Sequence, residues 1–344
     1  MSRSVTVIRG DGVGAEVVDA ALRVLESCGA DLAWEMRDAG AVANIKFGDA
    51  LPDETLRSIR RTGVCLRGPL ERPIGDGRGA EARLWSELDV FASLQPVRSD
   101  MSVHNPVRDA DFIIIREVSE GEYAAAERYT DQDGDRVQYV STLTRSASQR
   151  VVAFALAQAL RARRRLVTLV HSGPLLRLSG ELFADAGRDA AKLYDGVGFE
   201  VMSADEAITK LAAAPARFGI LVASGLCGAM ISSLATGLGG GLDSAAKMEV
   251  STSAAVFSPV HGTAAEAAGK GVANPTAAIL AGAMMLRHLG ETEASQAIES
   301  AVRRVVGGGK HLTADLGGRA STAEVGEAVA SLVRVFRSEM TSRR

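Results

Sequence analysis

The chain has 344 residues, of which 47% are hydrophobic and 4% aromatic, and it carries 36 glycines and a formal net charge of −3. This length can bury one large or two ordinary cores, and nothing in the composition suggests a disordered chain or a nucleic-acid-binding surface. Cys28, Cys65 and Cys227 lack the spacing of a zinc site or a disulfide framework, and no apolar stretch is as long as a membrane span. We therefore expect a cytoplasmic protein without a membrane or nucleic-acid partner.

Short apolar runs alternate with segments of helical period, which is typical of an α/β sheet. The predicted elements follow in chain order: strands over residues 5–8, 64–67, 112–116, 166–171, 220–223 and 254–257, and helices over 14–27, about 148–161 and 275–289. The last helix is apolar around most of its circumference, so we expect it to be buried. Residues 128–143 contain an Asp-Gly turn flanked by β-forming residues, which predicts a hairpin or arm projecting from the sheet.

The glycine-rich turn after the first predicted strand has two interpretations. Gly10, Gly12 and Ala15 satisfy the pattern G-x-G-x-x-A, and Glu35 and Asp38 follow at roughly the distance expected of a ribose-binding acid. Glycines are also needed in any tight turn between a strand and a helix, where a positive φ or close backbone contact is required. The pattern alone leaves both interpretations open.

A second glycine-rich segment, residues 260–275, reads V-H-G-T-A-A-E-A-A-G-K-G-V-A-N-P. Together with the helix after it, this segment closely resembles the adenosine-binding loop of the isocitrate/isopropylmalate dehydrogenase family, the metal-dependent β-decarboxylating dehydrogenases. The opening G-D-G-V-G then resembles that family's N-terminal G-D-G-I-G, and it is not a Rossmann fingerprint. The resemblance covers nearly the whole chain, through segments at residues 67–69, 87–99, 116–123, 144–145 and 315–318.

The resemblance implies an α/β fold of two open domains with a mixed sheet. Residues 1–96 plus 251–344 would form a large domain with the nucleotide loop, and residues 97–250 a small domain with the dimer interface and an intersubunit arm near 128–143. Such a homodimer would have its active site between the domains and across the dimer interface. Members of the family oxidise a 2-hydroxy acid with NAD or NADP and lose its 3-carboxylate as carbon dioxide.

Several family positions carry different chemistry in this chain. The metal loop of the family reads N-L-[FY]-G-D-I-L-S-D, whereas residues 225–233 place Ala229 and Ser233 at the two aspartates. Asp205 matches a third metal aspartate, which the family supplies from the neighbouring subunit. One carboxylate is a poor magnesium site, because that ion prefers octahedral oxygens and usually several anionic ligands. We therefore expect no magnesium or manganese.

The substrate-binding and proton-handling residues of the family are also replaced in this chain. Ser172 stands at the proton-handling lysine of V-H-K-A-N, while Trp85 and Gln95 replace the two carboxylate arginines. Arg116 and Tyr123 are retained, as a carboxylate anchor and an acid/base group. The Trp85 ring is large and apolar, which indicates a less acidic and bulkier ligand.

The candidate catalytic residues are Tyr123, Asp205 and His171, and the candidate substrate-binding residues are Arg116, Trp85, Gln95 and Ser172. Each also has a structural interpretation. A tyrosine or histidine is often a packed core residue with satisfied polar atoms, and Arg116 could pair with a neighbouring glutamate. Cys227 lies in the altered metal loop, but no partnered base is visible in the sequence, which favours a small buried hydrophobe over a nucleophile.

The candidate cofactor-binding residues form the second glycine-rich loop: His261, Gly262, Thr263, Ala264, Glu266 and Asn274. Glu266 stands where NAD-using members carry an aspartate, which accepts from the adenosine ribose and repels a 2′-phosphate. NAD is therefore a possible cofactor and is favoured over NADP. The alternative is that the loop persists because it packs the domain.

Because the altered positions change together, we expect a repurposed enzyme that acts on a small or medium, less acidic organic acid without the family's metal. Its chemistry would be non-redox isomerisation, elimination or decarboxylation. Two alternatives remain open. One is a catalytically silent subunit that regulates a paralogous partner, and the other is an NAD-dependent dehydrogenase of an unusual 2-hydroxy acid.

Overall fold

A computed structural model describes residues 2–71, 79–101, 109–130 and 133–342, with backbone only at residues 101, 126–129 and 340–342. The chain divides into two compact units, each built from separate segments. The first unit contains Met1–Leu88, Arg98–Arg108 and Gly239–Arg344, and the second contains Asp89–Val97 and Asp109–Leu238.

Strands and helices alternate along the described chain. The strands are β1 (Arg3–Ile8), β2 (Leu32–Arg37), β3 (Val64–Arg67), β4 (Ala92–Arg98), β5 (Asp111–Glu117), β6 (Ala126–Tyr129), β7 (Val137–Val140), β8 (Leu166–His171), β9 (Gly198–Ser203), β10 (Ile220–Ser224), β11 (Ala246–Val250) and β12 (Ala255–Pro259). The helices are α1 (Gly14–Ser27), α2 (Ala41–Phe47), α3 (Asp53–Thr62), α4 (Ala80–Leu88), α5 (Arg145–Arg161), α6 (Arg177–Ala191), α7 (Ala204–Ala213), α8 (Gly225–Leu238), α9 (Thr276–His288), α10 (Thr292–Gly308) and α11 (Thr322–Ser342).

The first unit orders its strands β2-β1-β3-β12-β11. β1 pairs in parallel with β2 and β3, and β12 with β3, whereas β11 runs antiparallel to β12, which makes the sheet mixed. Helix α9 packs on α1 and α10, and α1 also packs on α11. Residues such as Val17, Leu25, Ile279 and Val302 are buried in this core, because apolar side chains recur at helical spacing on the facing helices.

The second unit orders its strands β4-β5-β10-β8-β9, with β5, β10, β8 and β9 parallel to their neighbours. Parallel strands buried on both faces are continuously apolar, as Ile220, Leu221 and Val222 of β10 are. The carboxyl ends of parallel strands lie at one edge of a sheet, where loops gather functional side chains. Arg116 near the end of β5 and His171 at the end of β8 lie at such positions.

The expected α/β fold with a mixed sheet is confirmed. The predicted hairpin is present as an antiparallel pair, in which Ala126 of β6 faces Val140 of β7 and Tyr129 faces Val137. Buried α9 also matches its prediction, since ten of its residues are buried. Strands β2, β4, β9 and β11 were not predicted, although β11 alternates apolar and polar residues.

The first glycine-rich turn serves packing in this fold. A Cβ at Gly10 would lie 2.2 Å from the Pro69 carbonyl oxygen, and one at Gly12 would lie 2.0 Å from that of Thr263. Glu35, which the Rossmann pattern would assign to a ribose, instead forms an ion pair with Arg61. These contacts support the second interpretation, a tight turn against neighbouring backbone, and not a Rossmann fingerprint.

In the described part of the chain, none of the helices combines the length and the apolar character needed to cross a membrane.

Candidate functional site

We define residues 261–274 of the first unit as the nucleotide loop. Hydrogen bonds from residues near the N-terminus of the chain fix this loop. The Val13 amide donates to the Thr263 carbonyl at 2.9 Å. The Glu16 carboxylate accepts hydrogen bonds from the amides of Gly269 and Gly271, the latter at 3.0 Å. Bonds from backbone amides to a carboxylate are charge-assisted and strong. The loop is therefore a fixed structure and not a loose connection.

The C-terminal end of the nucleotide loop is fixed by buried Asn274. Its Nδ2 donates to Asp315 at 2.9 Å, and its Oδ1 accepts from the Thr276 amide at 3.0 Å, at the start of α9. The neighbouring Asp243 carboxyl is partly buried, and burial followed by the Asp315 charge raises the pKa of Asp243. The Asn274 amide at this end of the loop thus lies close to two acids, Asp243 and Asp315.

His261 lies at the start of the nucleotide loop. Its Nδ1 lies 2.9 Å from the Gly262 carbonyl oxygen, so Nδ1 is the protonated nitrogen that donates, and in the neutral ring Nε2 is left as an acceptor. Nε2 is buried and lacks a hydrogen-bond partner among the described residues. Because protein atoms enclose Nε2, the groups of this loop that a nucleotide could reach are the exposed ones that follow His261.

The rest of the nucleotide loop is open to a ligand. Ala264 has a φ of +39°, and Glu266 follows in a single 3-10 turn over Ala265–Ala267. Glu266 is exposed, and a Cβ at Gly262 would meet no atom within 4 Å. The backbone therefore leaves space beside a carboxylate that can accept a hydrogen bond.

Trp85 lies in α4 of the first unit, next to a network of buried charges. Lys247 Nζ is 5.6 Å from the centroid of the Trp85 ring and forms ion pairs with Glu81 at 2.8 Å and Glu249 at 2.7 Å. Arg67 is 2% exposed and bonds to Glu249 at 3.1 Å and also to Glu81. Burial opposes ionisation of Glu81, but the Lys247 and Arg67 charges outweigh it and hold its pKa well below the usual range. The network is neutral overall.

Arg116 and Tyr123, the residues predicted as a substrate anchor and an acid/base group, lie in contact in the second unit. Arg116 Nη1 donates to Tyr123 Oη at 3.0 Å, and its Nη2 donates to Ser93 Oγ at 3.3 Å. The guanidinium carbon lies 5.9 Å from the tyrosine ring centroid. Among the described residues Arg116 forms no ion pair with Glu117, whose carboxylate accepts from Ser119 and from the Glu120 amide. The Arg116 charge is therefore available to an acid.

His171 and Ser172 lie together after β8. The Gly173 amide donates to His171 Nδ1 at 3.1 Å, so the neutral ring carries its proton on Nε2. Burial, and then the charge of Arg188, lower the pKa of His171. Ser172 Oγ donates a long hydrogen bond of 3.4 Å to the Leu176 carbonyl. The proton on Nε2 is therefore the one that the neutral ring can donate, because Nδ1 is already used as an acceptor.

Gln95 is buried on β4, where its Nε2 donates to Thr236 Oγ1 of α8 at 2.8 Å. Asp205 is exposed in the first turn of α7. Cys227 lies in the first turn of α8, and burial, followed by the charges of Glu122 and Asp205, raises the pKa of its thiol. A raised thiol pKa disfavours the nucleophilic thiolate, which agrees with the structural interpretation of this cysteine.

The altered metal loop forms α8. Ser233 Oγ donates to the Ala229 carbonyl at 3.0 Å, as serines within helices often do. Across the residues that the structure describes, no three histidine, cysteine, aspartate or glutamate side chains group so that they could hold a metal. The described residues of this chain do not by themselves form such a group, and we derive no step through a metal ion.

Several residues of these sites escaped sequence reasoning. Glu16, Asp243 and Glu122 organise the loop and the turn around the candidates, but they contact residues far away in the chain. Only Glu16 had a signal, since an acid in the first turn of a helix is typical of hydrogen bonding to free amides. Its partners lie 253 and 255 residues away, and no local pattern identifies them.

Comparisons with known proteins agree with this geometry. A family model described as isocitrate/isopropylmalate dehydrogenase matches residues 4–329. The chain is 37% identical over 331 residues to a 3-isopropylmalate dehydrogenase of Archaeoglobus fulgidus, which covers 96% of this chain and 99% of the relative. It is 34% identical over 334 residues to the mitochondrial NAD isocitrate dehydrogenase subunit alpha of Bos taurus. This match covers 96% of this chain and 91% of the relative. The crystal structure of isocitrate dehydrogenase from Methylococcus capsulatus has a TM-score of 0.92 at 40% identity and covers 97% of this chain and 100% of that one.

These findings contradict two expectations. Proteins 34–40% identical over nearly the whole chain are named as dehydrogenases, so the expected repurposed enzyme with non-redox chemistry was wrong. The expectation of no magnesium or manganese was also wrong, because the matching family uses a divalent metal. Both expectations rested on the altered positions Ala229, Ser233, Ser172, Trp85 and Gln95, and the similarity over nearly the whole chain outweighs them.

Proposed function

Because the chain belongs to the isocitrate/isopropylmalate dehydrogenase family, we propose that it is an NAD-dependent dehydrogenase that oxidises a 2-hydroxy acid to a 2-oxo acid. The observation that carries the proposal is the fixed nucleotide loop, in which Gly262 leaves open space and the Glu266 carboxylate is exposed. A relative covered over 91% of its length is named as an NAD isocitrate dehydrogenase subunit, which supports the same chemistry.

The reaction balances as a hydride transfer. The carbon that bears the hydroxyl gives its hydride to the nicotinamide ring, the hydroxyl proton leaves, and the products are the 2-oxo acid, NADH and a proton. When bound, NAD supplies the hydride acceptor. The chain must then hold the acid, accept or relay the proton and exclude competing geometries.

Arg116 is the proposed anchor for a substrate carboxylate, since its planar guanidinium donates in a fork that matches an acid. Tyr123 is the proposed acid/base group. The phenol oxygen accepts from Arg116, which holds it beside the proposed carboxylate anchor. His171 is neutral near pH 7, and its Nε2 proton makes it a second proposed donor.

The preference for NAD rests on Glu266. Its exposed carboxylate can accept from the ribose hydroxyls of NAD, whereas the 2′-phosphate of NADP would bring a second negative charge. Repulsion between like charges disfavours NADP even where the loop geometry is unchanged.

We also propose a cytoplasmic homodimer, with a paralogous subunit as the other possible partner. Val137, Tyr139 and Val140 of the hairpin are 58%, 54% and 64% exposed, and Leu226 and Met230 of α8 are 60% and 55% exposed. Apolar surface of this kind favours burial by a second subunit. The three cysteines are all free, which fits a reducing compartment.

The proposal is tested by following absorbance at 340 nm with NAD or NADP and a panel of 2-hydroxy acids, each with and without magnesium. We expect NADH formation with at least one acid and slower reaction with NADP. Glu266→Lys should reverse the cofactor preference, and the exposed control Glu206→Lys in the second unit should not. Lack of NADH formation with every acid would refute the proposal.

A further inference from the structure

One side chain joins the turn that carries Tyr123 to helix α8 of the same unit. Glu122 Oε2 accepts a hydrogen bond from the Leu226 amide at 3.1 Å. Because α8 begins at Gly225, this amide belongs to the first turn, whose donors have no acceptor within the helix. A carboxylate at this place satisfies the donor and also interacts favourably with the helix dipole.

Gly225 provides the space for this carboxylate. Its φ is +50°, and a Cβ built on it would lie 1.8 Å from Glu122 Oε2. The family's metal loop starts with asparagine at this position, whereas this chain has glycine. A side chain at residue 225 would displace the Glu122 carboxylate from α8, so the glycine and the hydrogen bond depend on each other.

The same helix also supports Arg116. A Cβ at Gly228 would lie 3.1 Å from Arg116 Cγ and 3.4 Å from its Cδ, so the arginine stem packs directly on the backbone of α8. Tyr123 follows Glu122 in the short turn Gly121–Tyr123, and its oxygen accepts from Arg116. Helix α8 thus holds both members of the Arg116–Tyr123 pair, one through Gly228 and the other through Glu122.

We propose that Glu122 is a positioning residue that locks the Gly121–Tyr123 turn onto α8 and thereby holds the Tyr123 phenol against Arg116. The inference rests on the proposed function, in which this pair contacts the substrate acid. Glu122 does not touch the reacting atoms in this account. Its removal should lower kcat/KM by roughly tenfold to a hundredfold, because small displacements of catalytic groups are costly.

The kinetic signature separates positioning from general instability. Glu122→Gln keeps an oxygen that can accept from the Leu226 amide, so it should restore most of the activity that Glu122→Ala loses. Gly225→Ala should behave like Glu122→Ala, because it displaces the carboxylate without removing it. Equal activity loss in Glu122→Gln and Glu122→Ala would overturn the role of this hydrogen bond.

A second measurement needs no turnover. In full-length protein labelled with 3-fluorotyrosine, the ¹⁹F NMR resonance of Tyr123 is identified by its loss in Tyr123→Phe. We expect Glu122→Ala and Gly225→Ala to move this resonance, as Arg116→Lys should, and the exposed control Glu181→Ala to leave it in place. Should Glu122→Ala fail to fold, Glu122→Asp shortens the side chain by one methylene and gives the same readout.

An unchanged Tyr123 resonance in the folded Glu122 variants would overturn the inference. The two proposals fail separately. A wild-type protein that does not reduce NAD refutes the dehydrogenase, yet the resonance still decides whether Glu122 positions Tyr123.

Discussion

Arg116 Nη1 donates to the Tyr123 phenol oxygen at 3.0 Å, with the two residues only seven positions apart. The arginine lies near the end of β5 and the tyrosine in the 3-10 turn that follows, so a strand end and its loop create the pair. This arrangement places a carboxylate anchor and a proton-handling group side by side in the second unit. The proposed oxidation of a 2-hydroxy acid depends on both.

Replacing Arg116 by lysine tests the anchor. Lysine keeps the charge but loses the planar fork, and a hydrogen bond to a charged group is worth about 1.5–3 kcal/mol. We expect KM for the acid to rise by roughly tenfold to a hundredfold, with little change in KM for NAD. The exposed control Arg177→Lys, which alters a surface ion pair with Glu181, should leave both constants unchanged. An unaltered substrate KM in Arg116→Lys would contradict the anchor.

Glu16 tests the nucleotide loop. Glu16→Ala removes the acceptor for the amides of Gly269 and Gly271, which should loosen the loop and weaken NAD binding by about tenfold, in line with the loss of a charge-assisted hydrogen bond. Glu26→Ala, an exposed change in the same helix, is the matched control. Calorimetric titration with NAD measures both variants. Equal affinities would show that the loop does not need Glu16.

The buried charges of the first unit predict a large effect on stability. Glu249 is fully buried, and Glu249→Ala leaves Arg67 without its buried partner, which should cost about 3–5 kcal/mol in the free energy of unfolding. Glu87→Ala breaks an exposed ion pair with Arg60 and should cost less than about 1 kcal/mol. Urea unfolding compares the two variants. A small loss in Glu249→Ala would mean that Arg67 finds other partners.

His171 predicts a dependence of stability on pH. Its folded-state pKa is lowered from 6.5, so the unfolded chain binds more protons in the window below that value. Stability should therefore fall as the pH is lowered from about 6.5 through the folded-state pKa, and His171 should contribute no slope above pH 6.5. His171→Asn keeps an acceptor for the Gly173 amide and should remove this part of the slope. Urea unfolding between pH 5 and 8 measures it, and an identical slope in the variant would be inconsistent with burial of His171.

Local patterns predict most of the elements near the two sites. Helix α1 has its predicted bounds, 14–27, because a glycine-rich turn precedes it and apolar residues recur on one face. Helix α9 was predicted one residue longer at each end than it is. The hydrogen bond between Arg116 and Tyr123 was not predicted, although the two residues are close in the chain.

Long-range contacts account for what the sequence does not predict. The bond between Glu122 and Leu226 spans 104 residues, and that between Glu16 and Gly269 spans 253. Neither residue type nor spacing identifies such a partner, because the contact forms only after the strands have been ordered. The expected chemistry failed because it gave the altered positions, such as Ala229, Ser172 and Trp85, more weight than the similarity of the rest of the chain.

The most direct test of hydride transfer uses 2-hydroxy acids with deuterium on the carbon that bears the hydroxyl. Each acid is incubated with NAD and an equimolar amount of the protein, with magnesium, and the recovered dinucleotide is analysed by mass spectrometry. The proposed dehydrogenase predicts NADH that carries one deuterium with at least one acid, and loss of this product in Arg116→Ala. Unlabelled NAD recovered from every incubation, or deuterium released to water, would contradict the proposed function.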